Sequence, residues 1–110
     1  GMDGMDKMAA SMNNLRENPP KEIGGSRVIK IMDYKTSLST DIKTLKTEEI
    51  DMPKSNVLSY YMENGSQTLV RPSGTEPKIK IYIMSIGENL ESAKAVSEKI
   101  TDNMTKLLNL

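Results

Sequence analysis

The sequence contains no cysteine, histidine, tryptophan or phenylalanine. Without cysteine the chain forms neither disulfides nor thiolate metal sites, which is compatible with an intracellular setting. Without histidine it has no serine–histidine triad. Tyrosine is the only aromatic residue, so the sequence offers no Phe or Trp on which single-stranded RNA bases would stack. These absences remove several common catalytic and binding sites.

Net charge and long apolar runs are also missing. Fifteen basic residues balance fifteen acidic ones, which argues against a general binder of nucleic acids or anionic membranes. No apolar run is long enough to span a bilayer, and the polar amino end of mixed charge does not resemble a signal peptide. Gly1 before Met2 is typical of a tag remnant.

The residues that are present indicate one small domain with a modest aliphatic core. We treat residues 1–110 as a single domain, and a chain of this length buries roughly two-thirds of its unfolded surface. Apolar residues make up 36% of the chain, and nine methionines partly replace aromatic residues as core filler. The sequence shows no internal repeat.

Two amphipathic helices are predicted near the ends of the chain. Residues 3–18 have apolar side chains at helical spacing, with Asp3 as the expected cap and Pro19-Pro20 as the stop. Residues 89–109 repeat the pattern, with Asn89 as the expected cap. The stripes are Met5, Met8, Met12 and Leu15 in the first helix and Leu90, Ala93, Val96, Ile100, Met104 and Leu107 in the second. We interpret both as core-facing sides rather than as binding faces.

Three or four strands are predicted between the helices. They lie at residues 27–34, 57–62, 67–71 and 78–86. Asn64-Gly65 predicts a tight hairpin between the middle two, because both residues tolerate positive φ. Pro72 is expected to end the third strand, since it cannot donate to a ladder. In the first strand, Ile29 and Ile31 are expected to share one face.

The fourth predicted strand alternates most clearly. Ile79, Ile81 and Ile83 are expected to face the helices, whereas Lys78, Lys80 and Tyr82 stay near water. Residues 35–56, rich in Thr, Ser and Lys, are either a short helical turn or a mobile surface loop, and the sequence does not decide between them. The predicted fold class is α+β, with a four-stranded, largely antiparallel sheet packed against two helices.

The turn RPSGTEP, residues 71–77, concentrates groups that bind anions. Arg71 offers a planar fork for phosphate oxygens, and Ser73 and Thr75 offer hydroxyl donors. Gly74 lets the backbone take unusual angles and approach a ligand, so that successive amides form a concave nest. Lys80 places a further cation near the same pocket. These five residues are the predicted phosphate-binding site.

The same turn also has a purely conformational interpretation. Ser, Gly, Thr and Pro all occur in ordinary strand-to-strand turns, and paired lysines occur on solvated strand faces. Glu76 does not suit a phosphate site and is expected to point away, pairing with a base or capping local amides. The chain has no P-loop, no clustered aspartates for magnesium and no identifiable catalytic residue.

RPSGTEPKIKIYI, with YMENGSQTLV before it, resembles the C-terminal domain of the α-D-phosphohexomutase superfamily, most closely its phosphoglucomutase/phosphomannomutase branch. The resemblance runs from NPPKEIGGSRV through IYIMSI, with DYKTS between them, and covers most of the chain. It implies a TBP-like domain, the fourth of four, in a cytoplasmic isomerase that transfers phosphoryl between C1 and C6 of glucose or mannose phosphates through a bisphosphate intermediate.

The resemblance also implies how the work is divided among the domains. A phosphoserine and Mg²⁺ belong to the first two domains and sugar recognition to the third, so this domain is expected to hold no metal and, alone, to be inactive. Arg71, Ser73, Gly74 and Thr75 match the family's phosphate loop, whereas Lys80 stands where some relatives have another basic residue. The expected partners are a hexose phosphate and the other three domains, with no nucleic acid and no membrane.

Two other functions fit an α+β domain of this size. The first is a structural module that docks a partner, in which the turn is only a turn. The second is an RNA-binding module, because a sheet backed by two helices is a common RNA platform. The RNA-binding function fits less well, since the chain has neither stacking Phe or Trp nor a basic excess.

Overall fold

The computed structural model describes residues 3–110, so the predicted tag remnant at Gly1 lies outside the described residues. Two helices flank the strands along the chain, α1 (Gly4–Glu17) and α2 (Leu90–Leu107). The strands are β1 (Glu22–Ile23), β2 (Ser26–Asp33), β3 (Leu38–Asp41), β4 (Thr47–Glu49), β5 (Leu58–Met62), β6 (Gln67–Pro72) and β7 (Ile79–Met84). The α+β class is confirmed.

The sheet has seven strands, so the predicted count of four is wrong. Its order is β4-β3-β2-β5-β6-β7, with β1 paired to β2, and every pairing is antiparallel. Residues 35–56 hold β3 and β4, two strands that neither the predicted helical turn nor the predicted surface loop included. Both strands are short and lie at one edge, and every residue of β4 is exposed. Such strands carry no alternation of apolar and polar residues, which is why the sequence did not reveal them.

Both helix caps are confirmed. Asp3 accepts a hydrogen bond from the Asp6 amide at 2.9 Å, and α1 ends at Glu17, ahead of the two prolines. At α2, Asn89 and Ser92 form a reciprocal capping box. The buried helix residues are Met8, Met12, Leu15, Ile100 and Met104. The outer ends of both predicted stripes are wrong, because Met5 is 49% exposed in α1 and Leu90 is 82% exposed in the first turn of α2.

A β-bulge in β2 changes which side chains of this strand face the core. Val28 pairs with Met62 and Lys30 pairs with Tyr61, so Ile29 is an extra residue on this strand. Val28 is consequently buried and Ile31 packs against the core, whereas Ile29 is 43% exposed. The predicted pairing of Ile29 with Ile31 on one face is therefore wrong.

The predicted hairpin between β5 and β6 is confirmed, although its turn uses one positive φ rather than two. Gly65 has φ 89°, and its amide donates to the Met62 carbonyl at 3.0 Å. Asn64 instead accepts from the Ser66 amide through its side chain. This arrangement matches the three-residue class of hairpin loops with glycine in the left-handed position.

The hydrophobic core lies between the helices and one face of the sheet. Met12 and Leu15 of α1 and Ile100 and Met104 of α2 pack with buried residues of the central strands. The three isoleucines of β7 pack against this core, as predicted, and the alternate residues Lys80, Tyr82 and Met84 are exposed. Within residues 3–110 neither helix is both long enough and apolar enough to cross a membrane.

One ion pair connects α1 to the sheet. Arg16 Nε donates to Asp33 Oδ2 at 3.1 Å, and the two side chains are only 15% and 17% exposed. The other two guanidinium nitrogens of Arg16 are buried without a partner among residues 3–110, as is the Tyr60 hydroxyl. Burial raises the pKa of Tyr60, so this phenol remains neutral.

Candidate functional site

The RPSGTEP turn joins β6 to β7 and is organised by Ser73. The Ser73 amide donates to the Lys78 carbonyl at 2.8 Å, which closes the turn. The Ser73 side chain is buried, and its oxygen accepts from the amides of Thr75 at 3.4 Å and Glu76 at 3.2 Å. Because this oxygen only accepts in these bonds, its own proton stays available for donation to a ligand.

The predicted row of inward amides is largely occupied by these internal bonds. The amides of Ser73 and Thr75 have acceptors within the turn, and only that of Gly74 has no partner among residues 3–110. Gly74 does not have a positive φ, and a Cβ added to it would meet nothing within 4 Å. The expectation that Gly74 serves unusual backbone angles is therefore wrong. What the glycine provides is an amide beside open space.

Two cations face each other across the strands that flank the turn. Arg71 of β6 pairs directly with Lys80 of β7, so both side chains lie on the same face, and both are exposed. Like charges in directly opposite positions of a sheet repel each other. In the part of the chain that the structure describes, neither cation has a carboxylate within ion-pair distance. The pair is therefore an unneutralised positive site.

Glu76 behaves as expected and pairs with a base. Its carboxylate lies 3.2 Å from Lys78 Nζ, and each side chain is about 60% exposed. An ion pair this exposed contributes little to stability. Its consequence is local: Lys78 is already paired, and among residues 3–110 the Glu76 carboxylate is not within ion-pair distance of Arg71 or Lys80. Lys78 is therefore neutralised by Glu76, whereas Lys80 has no such partner among residues 3–110.

A cavity of about 510 Å³ lies beside the turn and was not predicted from the sequence. The start of α1 packs against the turn so closely that a Cβ on Gly4 would meet the Pro77 ring. The lining residues are Arg71, Pro72, Ser73 and Gly74 of the turn, Met5, Met8 and Ala9 of α1, and Ser55, Asn56 and Val57 before β5. Thr75 and Lys80 are not among them. A second cavity, of about 630 Å³ between α1 and the end of α2, contains none of the predicted site residues.

The described residues do not fit a divalent cation. Nowhere in residues 3–110 do three or more carboxylate or other ligand side chains come together to hold a metal ion. Glu76, the carboxylate of the turn itself, is paired with Lys78. We therefore assign no step to Mg²⁺ at this site.

Comparison with known families identifies the chain. A family model described as "Phosphoglucomutase/phosphomannomutase, C-terminal domain" matches residues 12–102. The chain belongs to this family. The match begins within α1 and includes the whole RPSGTEP turn. The match also covers the whole sheet and ends within α2, at residue 102, so these elements correspond to the C-terminal domain of this isomerase family.

Bacterial phosphoglucomutases are similar over most of this domain. The chain is 46% identical to a Staphylococcus aureus (strain MRSA252) phosphoglucomutase over 76% of its length and 15% of that protein's. It is 36% identical to a Staphylococcus epidermidis phosphoglucomutase over 93% of its length and 18% of that protein's. The chain therefore spans less than a fifth of these relatives. No solved structure matches it.

Proposed function

We propose that this domain binds the non-reacting phosphate of a hexose phosphate, in a cytoplasmic phosphoglucomutase/phosphomannomutase that transfers phosphoryl between C1 and C6. The observation that carries the proposal is the unneutralised pair Arg71–Lys80 beside the free amide of Gly74. A guanidinium fork, an ammonium and a backbone amide are the donors that phosphate oxygens favour. The hydroxyls of Ser73 and Thr75 add two more donors.

A site that holds only phosphate suits the proposed reaction. A bisphosphate intermediate must turn round between the two transfers, so the site has to accept either end of the sugar. Donors directed at phosphate oxygens serve both orientations equally. Binding energy from the phosphate that does not react then holds the reacting end in place and drives closure, which excludes water. On this proposal the phosphoserine, Mg²⁺ and most of the sugar-binding groups belong to the other three domains.

Arg71→Ala in the whole enzyme that carries this domain tests the proposal. Loss of a charge-assisted contact worth roughly 1.5–3 kcal/mol is expected to lower kcat/KM about 10- to 150-fold. The measurement is steady-state kinetics with glucose 1-phosphate. Arg27→Ala is the matched control, because Arg27 is an exposed arginine of β2 outside the cavity. Unchanged kinetics in Arg71→Ala would contradict the phosphate assignment.

The described domain offers a second, direct measurement. Titration with inorganic phosphate is expected to shift backbone amide resonances of residues 71–80 in NMR spectra. A docking module with an ordinary turn would show no such shifts. This experiment therefore separates phosphate binding from the structural alternative without requiring turnover.

A further inference from the structure

We infer that Asn56 is a second ligand-contacting residue of this site and contacts the sugar hydroxyls rather than the phosphate. The inference rests on the proposed function, because it assigns the other end of the same ligand. Asn56 precedes β5 and belongs to no motif, yet it lines the cavity that contains Arg71 and Gly74. The antiparallel pairing of β5 with β6 accounts for this, since it places the start of β5 beside the end of β6.

The backbone around Asn56 is fixed by three hydrogen bonds. The Val57 amide donates to the Ser55 carbonyl at 2.9 Å, which forms a three-residue turn with Asn56 at its tip. The Ser55 amide donates to the Tyr34 carbonyl at 3.1 Å, and the Tyr34 amide donates to the Val57 carbonyl at 3.0 Å. These bonds hold the turn against the end of β2. Asn56 is thus presented from a rigid position, which lowers the cost of ordering it on binding.

The Asn56 side chain has no structural task in the described chain. The side chain is exposed, and its carboxamide group makes no hydrogen bond with any of residues 3–110. Other asparagines of the molecule are used: Asn64 caps its hairpin turn, Asn89 caps α2, and Asn103 accepts from the Gly24 amide. A fixed backbone that carries an unused amide at a cavity is the arrangement expected of a ligand contact.

The chemistry of an amide indicates which part of the ligand it meets. A carboxamide offers two donors and one acceptor, which matches a hydroxyl group that both donates and accepts. Its carbonyl oxygen is repelled by phosphate oxygens, for which Arg71, the cation that lines the same cavity, is a better partner. Because the amide donates as well as accepts, it serves the hydroxyls of a hexose in either orientation. Ser55 offers a hydroxyl beside it.

The part of the cavity lining that comes from α1 is apolar. Met5, which is 49% exposed, Met8 and Ala9 of α1 form it. A pyranose ring carries C–H groups on its faces and hydroxyls around its edge, so its face packs on the methionines while its edge reaches Asn56. The volume of about 510 Å³ lies in the usual range for small-molecule sites and exceeds what phosphate alone needs. The ligand class is therefore a phosphate ester of a polyhydroxylated ring.

Paired titrations of the 110-residue chain with glucose 6-phosphate and with inorganic phosphate test this inference. Asn56→Ala is expected to weaken binding of glucose 6-phosphate roughly three- to tenfold, the effect of one lost hydrogen bond, and to leave inorganic phosphate binding unchanged. Asn13→Ala is the matched control, because Asn13 is an exposed asparagine of α1 outside the cavity. In the unsubstituted chain, the side-chain amide resonance of Asn56 is expected to move with glucose 6-phosphate only.

The outcomes separate this inference from the proposed function. If phosphate shifts residues 71–80 but Asn56→Ala changes neither affinity, the inference fails and the proposed function stands. An equal loss for both ligands also overturns it, because Asn56 would then serve the phosphate or the fold. If neither ligand binds the unsubstituted chain, the proposed function and the inference fail together. The Asn56 side-chain resonance decides the question even if the variant does not fold.

Discussion

Ser73 and Gly74 are neighbours with opposite tasks in the turn between β6 and β7. Ser73 is buried, closes the turn through its amide and accepts two backbone amides through its hydroxyl. Gly74 is exposed, its backbone amide has no partner among residues 3–110, and it faces open space. At the scale of single residues, therefore, one position builds the turn and the next leaves room for a ligand. A substitution at Gly74 is therefore expected to change ligand binding while leaving the fold intact.

Gly74→Ala is expected to leave the fold intact and to abolish most phosphate binding. The φ of Gly74 is not in the positive range and an added Cβ meets no atom within 4 Å, so alanine is tolerated. It is expected to raise the free energy of unfolding by about 0.4–1 kcal/mol, because the unfolded chain loses freedom. The same Cβ occupies the space through which phosphate reaches the Gly74 amide. Urea denaturation and a phosphate titration measure the two effects.

Gly25→Ala provides the contrasting control. A Cβ there also meets nothing within 4 Å, but Gly25 has φ 80°, so alanine is strained. This variant is expected to lose stability and to keep its affinity for phosphate, since Gly25 lies far from the turn in the β1–β2 hairpin. If Gly74→Ala binds phosphate as well as the unsubstituted chain, the open space beside Gly74 has no role in binding.

At the scale of helices and strands, alternation of apolar and polar residues decides what is predictable. β7 and the hairpin of β5 and β6 have one face on the core, and the sequence predicts them well. β3 and β4 lie at the edge, where few side chains are buried, so they leave no periodic signal. The bulge at Ile29 is equally invisible, because it depends on how β2 pairs with β5. Burial, rather than strand propensity, makes a strand recognisable.

The candidate site also has a part that the sequence predicts and a part that it does not. Arg71, Ser73, Gly74, Thr75 and Lys80 stand in one short stretch, so local chemistry predicts them. Their geometry depends on the β6–β7 register, which places Arg71 opposite Lys80. The cavity wall from α1 and the turn at Asn56 come from distant parts of the chain. Such neighbours are determined by tertiary packing, and no local pattern in the sequence reports them.

The Arg16–Asp33 pair connects α1 to β2 of the sheet. Asp33→Ala is expected to lower the free energy of unfolding by about 3 kcal/mol, because it leaves a mostly buried guanidinium without its only partner among residues 3–110. Denaturant unfolding measures this loss. The double variant Arg16→Leu, Asp33→Leu is expected to recover most of it, since it removes the uncompensated charge as well. Equal losses in the single and double variants would show that packing, rather than charge, determines the effect.

At the scale of the whole molecule, attraction for an anion is local. The net charge is zero, so there is no general positive field to draw phosphate to the surface. Of the two unneutralised cations, Arg71 lines the corner where the RPSGTEP turn, the start of α1 and residues 55–57 meet, whereas Lys80 lies opposite Arg71 on β7 and outside the lining of that corner. Binding at this corner involves the folded state alone, because the unfolded chain does not bring these segments together. On the proposed function, phosphate binding is therefore expected to be coupled to the stability of the entire domain.

Phosphate is expected to raise the melting temperature through this coupling. At a concentration ten times its Kd, a ligand that binds only the folded state adds about 1.4 kcal/mol, and each kcal/mol moves Tm by about 4–8 °C in a domain of roughly this size.

Phosphate also stabilises proteins in general, because it is excluded from their surfaces. Differential scanning calorimetry of the unsubstituted chain and of Gly74→Ala, at matched ionic strength, separates the two contributions. The general effect is the same in both, so the specific effect is the difference between their shifts in Tm. Equal shifts would mean that phosphate acts on the whole surface and not at the corner beside Gly74.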